Sequence, residues 1–369
     1  MAEVKDFLKK VDWILIVAVL ALMGFGLMLI YSSTYNFAQT GLSWHMGRQT
    51  IFMGVTIVLA LLSLAFDYRG VRQYVIYIYV FNALMLLAVM LFGHSQLGAQ
   101  RWLQFGSVVF QPSEFSQLFM VICLAAFMER RIEWLEDFTD YLKVFAFLLI
   151  PFVLVLKQPD LGTSLCFIAI LAGMAFVSGF RYKWIVRLFM FFVAIAPALW
   201  YFVLHDYQKD RIKVFLNPEL DPFGSGYHVI QSKIAIGSGG LFGKGWLAGT
   251  QSQLNFLPEN HTDFVFAVAG EEFGFIGVCI ILLLYLVLVW RGIVIAMNAE
   301  DDFGMLLATG ITSMFMFHIF VNIGMTIGIM PVTGVPLPFL SYGVSSLMTN
   351  ILAVALLLNI ALRNVDLTF

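Results

Sequence analysis

The sequence predicts an all-α polytopic membrane protein of about ten transmembrane helices, with one long extracytoplasmic loop between the seventh and eighth. Three observations predict it. Hydrophobic residues fill 61% of the 369 positions and charged residues only 12%, against about a quarter charged in soluble domains. The apolar residues gather in runs of the length, about 20 residues, that crosses a hydrocarbon core. One polar segment, 205–262, interrupts those runs at far greater length than any other.

The first span is expected at 12–32. Lys5, Lys9 and Lys10 precede an apolar run that reaches Ile30, longer than the roughly 7–15 residues of a signal-peptide core, so this span stays uncleaved. Further spans are expected near 50–66, 74–93, 113–129, 141–157, 161–179, 187–204, 263–290, 304–329 and 340–362. The fifth and sixth are parted only by Gln158-Pro159-Asp160, where Pro159 forbids a continuous helix. Ten spans place both termini on one side, and the whole chain, 1–369, is read as a single integral domain of the cytoplasmic (inner) membrane.

Lysine and arginine set the orientation. With a cytoplasmic N-terminus, that side collects Lys5, Lys9, Lys10, Arg69, Arg72, Arg130, Arg131, Lys143, Arg181, Lys183, Arg187, Arg291 and Arg363, while the short loops opposite hold Arg48, Arg101 and Lys157. Lys209, Arg211, Lys213, Lys233 and Lys244 fall in the 205–262 loop, which is therefore extracytoplasmic and basic for its side. The net charge of −2 gives no global field for nucleic acid. Cys123, Cys166 and Cys279 all lie in apolar runs and read as packing residues rather than a disulfide framework.

Within the loop, Gly239-Gly240-Leu241-Phe242-Gly243-Lys244-Gly245 resembles a phosphate loop, but the Walker pattern needs Gly at Ser238 and Ser or Thr at Gly245. No ATP is available on that side either. Two readings remain. The glycines let backbone N–H groups approach an anion such as a diphosphate, with Lys233 and Lys244 supplying charge, or they merely permit turns.

Acids at membrane depth are costly unless paired or functional. Glu114 follows Gln111-Pro112-Ser113 at the start of the fourth span, and Asp160 opens the sixth beside Gly162-Thr163-Ser164. Each suits a helix N-terminus, and each is also a candidate for substrate contact. Asp263, Glu271 and Glu272 all fall on the expected eighth span. There Glu271 would lie about 80° round and about 12 Å deeper than Asp263, too far for a close carboxylate dyad. A single base at the membrane surface with a structural acid below it is the natural arrangement, and the bland alternative for Asp263 is a first-turn acid after Thr262.

These residues also carry a resemblance. Gln111-Pro112-Ser113-Glu114, Gln158 to Ser164, Asp221 to His228, Gly237 to Gly245, Leu257 to Asp263 and Pro336-Leu337-Pro338-Phe339-Leu340-Ser341-Tyr342-Gly343 together resemble the SEDS (shape, elongation, division, sporulation) family over nearly the whole chain. His205-Asp206-Tyr207-Gln208 and Gly249 to Leu254 are more similar to its rod-shape branch than to its division branch. The resemblance implies a ten-span peptidoglycan glycosyltransferase of the elongation machinery. It would polymerise lipid II within the membrane lipid and work beside a class B penicillin-binding protein, a transpeptidase.

The resemblance makes Asp263, of His261-Thr262-Asp263, the essential acid. Chemically the role fits: a sugar hydroxyl attacks an anomeric carbon whose leaving group is a lipid diphosphate, a carboxylate takes the proton, and cations hold the diphosphate. Candidate substrate contacts are Arg101, Glu114, Asp160, Arg211, Lys233, Lys244, Glu259, His261, Thr262 and Ser341. No cofactor or metal site is evident, and a divalent cation at the diphosphate is left open. Two positions depart from the family pattern. Gln117 stands where a lysine would pair with Glu114, and Val344 stands where glycine commonly follows Gly343. The rival reading is a flippase or other transporter of lipid-linked precursors, with the acids as a proton or substrate path. A mere scaffold for the transpeptidase would leave the basic loop and Asp263 unexplained.

Overall fold

The computed structural model describes residues 10–35, 44–96, 99–105, 108–130, 138–179, 206–221, 224–254 and 256–363, with positions 183, 187, 190, 194 and 201 singly. The chain is chiefly helical, as a chain in lipid must be when no water satisfies its backbone groups. The helices α1 (Trp13–Thr34), α2 (Trp44–Ser63), α3 (Val75–Phe92), α4 (Pro112–Glu129), α5 (Phe138–Lys157) and α6 (Leu161–Val177) come first. The loop then carries α7 (Asp206–Leu216), α8 (Ser225–Ser238) and the single turn α9 (Thr250–Gln253). Three long helices follow: α10 (Val265–Met297), α11 (Asp302–Ile327) and α12 (Val344–Arg363). Among the described residues, every expected span except one has a helix in its place. The exception, 187–204, lies outside the described residues apart from the single positions 187, 190, 194 and 201. Among the described residues, six helical segments are long and apolar enough to cross a membrane.

Local chemistry sets the ends. The carboxylates of Asp12, Asp160 and Asp301 accept the backbone N–H groups of Leu15, Thr163 and Gly304 at 3.0, 3.3 and 2.9 Å, capping α1, α6 and α11. Gly328 ends α11 in the left-handed region at φ 77°. Where α1 begins, it is tied to α10 by a buried ion pair in which Arg291 Nε donates to Asp12 Oδ2 at 2.8 Å. The core is built round α11, which packs on α10, α6 and α4, while α1 flanks α10 and α2 pairs with α12. α4 is buried on nearly every side, so its polar residues face protein rather than lipid.

Two features depart from the expected all-helical spans. Three strands, β1 (His94–Gln96), β2 (Ala99–Phe105) and β3 (Val108–Phe110), form an antiparallel sheet with Leu103 opposite Phe110 and Phe105 opposite Val108. β1 and β3 are too short to carry a periodicity, and the Ala99–Phe105 sequence of β2 does not alternate strictly between apolar and polar residues. The second departure is a break inside α10 at Gly274 (φ 66°, ψ −164°), a conformation essentially confined to glycine. The 239–245 glycine segment docks there. Lys244 N and Gly245 N donate to the Glu271 and Glu272 carbonyls at 3.0 Å each, and Phe275 N and Ile276 N donate to the Gly240 and Leu241 carbonyls at 2.9 and 3.1 Å. The loop thus takes up backbone groups that the broken helix would orphan in an apolar medium.

Candidate active site

Asp263 stands two residues before α10 rather than inside it. The helix begins at Val265 with Phe264 as its N-cap and no side-chain cap, so the first-turn reading of Asp263 fails and the expected start at 263 is corrected. The 80° wheel angle to Glu271 loses its meaning with it. Among the described residues the Asp263 carboxylate takes no hydrogen bond, and it faces Gly334, where an added Cβ would sit 3.4 Å from Oδ2.

The backbone around Asp263 is held from three sides. Asn322 Nδ2, from α11, donates to the Asp263 carbonyl at 3.0 Å and to the Val335 carbonyl at 2.7 Å. Ser341 Oγ donates to the Thr262 carbonyl at 2.6 Å and accepts Leu337 N–H at 2.8 Å. Tyr342 N donates to the His261 carbonyl at 2.8 Å. Ser341 is therefore a clamp on the acidic turn. Glu259 is exposed and accepts Thr262 Oγ at 3.0 Å. His261 packs its ring on Tyr342 and His45, with centroids 5.7 and 5.3 Å away, and burial lowers its pKa.

Around this turn the structure gathers Arg101, Arg211, Glu114 and Asp160. Burial pushes the Asp263 carboxyl up to about 6, and the Glu259 carboxylate adds to the rise. Arg211 and Arg101 pull the other way. Glu114 lies within electrostatic reach of both Asp160 and Asp263. Arg101, on β2, donates Nε–H to the Gln158 carbonyl at 3.1 Å, also donates to the Pro159 carbonyl, and places Nη1 3.7 Å from Asp160 Oδ1. Asp160 Oδ2 accepts Ser113 Oγ and Thr163 Oγ1 at 3.0 Å each. Arg211 donates to the Thr333 carbonyl at 3.3 Å and lines a small cleft with Val214, Phe215, Val229, Met330, Pro331 and Val332.

The two loop lysines sit elsewhere. Lys244 Nζ donates to Glu271 Oε1 at 2.7 Å and to Thr250 Oγ1 at 2.8 Å. Buried Glu271 also accepts Gln251 N at 2.9 Å and Ser252 N at 3.2 Å. With its ammonium on Glu271 and its N–H on a helix carbonyl, Lys244 supports the loop, and the glycine segment is a plug in α10 rather than an anion cradle. Lys233 is exposed and lies over Gly328, at the negative end of α11. Lys244→Ala is expected to destabilise the protein by about 3 kcal/mol, because a buried carboxylate loses its cation. Arg211→Ala is expected to spare stability and lower the polymerisation rate. Thermal unfolding and initial rates measured on both variants check the split.

The sequence pattern of the FtsW/RodA/SpoVE cell cycle proteins matches residues 12–365. The chain belongs to this family. It is 44% identical over 327 residues to the peptidoglycan glycosyltransferase MrdB of Escherichia coli (strain K12), covering 87% of this chain and 86% of that one. Among solved structures it superposes on a chain of a peptidoglycan synthase complex that coordinates polymerization and crosslinking, with TM-score 0.80, 32% identity and 95% and 97% of the two chains covered. The rod shape determining protein RodA of Thermus thermophilus matches with TM-score 0.72 and 28% identity over 96% and 98%.

The family pattern did not point to Asn322 or His318, which stand four apart on one face of α11. Their signal was available: polar side chains in an apolar span are costly and mark interior contacts. His318 Nε2 lies 2.6 Å from Gln117 Oε1, which also accepts Cys166 Sγ at 3.1 Å, leaving the Gln117 amide N–H to donate to Glu114 Oε2 at 3.4 Å. Gln117 thus fills the family's lysine position with a neutral bridge. Gln117→Lys would gain a cation for Glu114 and lose the acceptor for His318 and Cys166, so polymerisation should stay within about twofold of wild type. A several-fold rise in initial rate at unchanged thermal stability would assign position 117 to substrate.

Proposed function

We propose that this chain polymerises lipid II into glycan strands on the outer face of the cytoplasmic membrane during cell elongation, with both termini in the cytoplasm. Asp263 is the general base, undecaprenyl diphosphate is the leaving group, and a class B penicillin-binding protein works beside it as transpeptidase. The observation that carries this reading is the Asp263 carboxylate. It is half-buried at the outer end of α10, bears no hydrogen bond from the described residues, and is flanked by Arg101 and Arg211.

Capping bonds and ion pairs lower a carboxylate's basicity and block its approach, whereas this one keeps its lone pairs open to a substrate proton. Its pKa near 6 makes it a stronger base than an ordinary aspartate while leaving it ionised at neutral pH. The hydroxyl of one sugar gives its proton to Asp263 as its oxygen attacks the anomeric carbon of the next. The bond to the diphosphate breaks, and Arg101 and Arg211 take up the developing charge. Asn322 and Ser341 hold the acidic turn so that the carboxylate does not swing. The grouping of Glu114, Asp160 and Asp263 at one end favours surface chemistry over a path through the bilayer.

Initial polymerisation rate against pH tests this reading. Protonation removes the base, so the rate should fall as pH drops through about 6, by about tenfold at pH 5. Glu259→Gln removes the carboxylate that helps raise Asp263, so its acid limb should lie at lower pH than that of wild type. Superimposable limbs would take Glu259 out of the site's electrostatics, and a flat profile between pH 5 and 7 would take Asp263 out of the rate.

A further inference from the structure

We propose that residues 240–246 form an interfacial hairpin that seats Leu241 and Phe242 among the acyl chains of the outer leaflet and fixes the height of the Asp263 segment above the bilayer. The argument begins at the buried Asp12–Arg291 pair, a common mark near the cytoplasmic end of α1 and α10. Counting up α1 from Asp12, Met28 lies about 24 Å above that mark, and counting up α10 from Arg291, Gly274 lies about 25 Å above it. The hairpin touches both points. Its chain threads the break at Gly274, and Trp246 Nε1 donates to the Met28 carbonyl at 3.3 Å while its ring lies 5.7 Å from that of Tyr31.

Two helices therefore place the hairpin at one level, about 5 Å inside the outer boundary of a hydrocarbon core about 30 Å thick. Tryptophan and tyrosine favour that level because one edge of each is apolar and the other polar. The side chains agree. Phe242 is 80% exposed and Leu241 63% exposed in the chain itself, and the exposed surface continues onto Phe275, Ile276 and Ile280 of α10. A solvated loop gains nothing from two such residues, whereas a surface continuous with a lipid-facing helix buries them in acyl chains. The backbone suits that setting, since Gly240, Leu241, Lys244 and Gly245 satisfy their polar groups on the broken helix. Because the hairpin grips both sides of the break, the nine residues from Val265 to Phe273, with Asp263 just beyond them, stand on it as on a footing.

Spin labels test this in nanodiscs, with the full chain carrying Cys279→Ser and one added cysteine, Phe242→Cys or, separately, Leu241→Cys. Leu283→Cys on the exposed face of α10 and Glu219→Cys in the exposed loop serve as lipid and water references. The ratio of oxygen to nickel-chelate collision rates at 241 and 242 is expected to match that at 283 and to exceed that at 219 several-fold. A ratio equal to that at 219 overturns the proposal. So does protection that appears only when the transpeptidase is added, which would assign the surface to a protein.

Discussion

Asp263→Asn is expected to abolish glycan polymerisation while the protein stays folded. The amide keeps the size of the side chain and loses the proton acceptor, and general-base catalysis is worth about 10²–10⁴ in rate. Stability should hold because the fold draws on this residue through its backbone carbonyl, held by Asn322 at 3.0 Å, and not through its carboxylate. A variant with the wild-type unfolding midpoint and no detectable strands is the expected result. Wild-type yield from Asp263→Asn would remove Asp263 from the chemistry.

The largest effect on stability is expected from Gly274→Ala. The glycine's φ of 66° with ψ −164° is closed to alanine, and an added Cβ would collide with the Gly243 amide nitrogen and the Phe242 carbonyl carbon. The cost is about 3 kcal/mol or more, and the unfolding midpoint should drop by at least about 5 °C. Gly243→Ala should behave alike, since it has φ 78° and its Cβ would meet the Glu272 carbonyl oxygen. An unchanged midpoint in both variants would mean that the plug in α10 is not needed for the fold.

What the sequence revealed and what it concealed have physical reasons. The helices were legible because apolar runs of membrane length end at visible punctuation: Asp160 after Pro159, Asp301 before α11, Gly328 after it. The break at Gly274 was not legible, since a lone glycine between Phe273 and Phe275 carries no helix-stop signal of its own and the cause of the break is a tertiary contact with residues 239–245. For the same reason the glycine segment left two readings open, anion cradle or turns, until its N–H groups were found on helix carbonyls. Asp263 could be named from its motif, but its standing outside the helix depends on clamps from residues 322, 341 and 342, between 59 and 79 positions away. Glu271 was read as a structural acid, yet its partner Lys244 lies 27 positions earlier, beyond any helical spacing rule.

The most direct test of the account places lipid II in the outer leaflet of vesicles that hold the purified protein with its transpeptidase partner. It measures glycan strand length together with movement of lipid II across the bilayer. The account predicts strands from the wild type, one undecaprenyl diphosphate released for each disaccharide joined, no strands from Asp263→Asn, and no dependence on transbilayer movement. Lipid II crossing the bilayer with no strand formed would contradict it and identify the chain as a transporter.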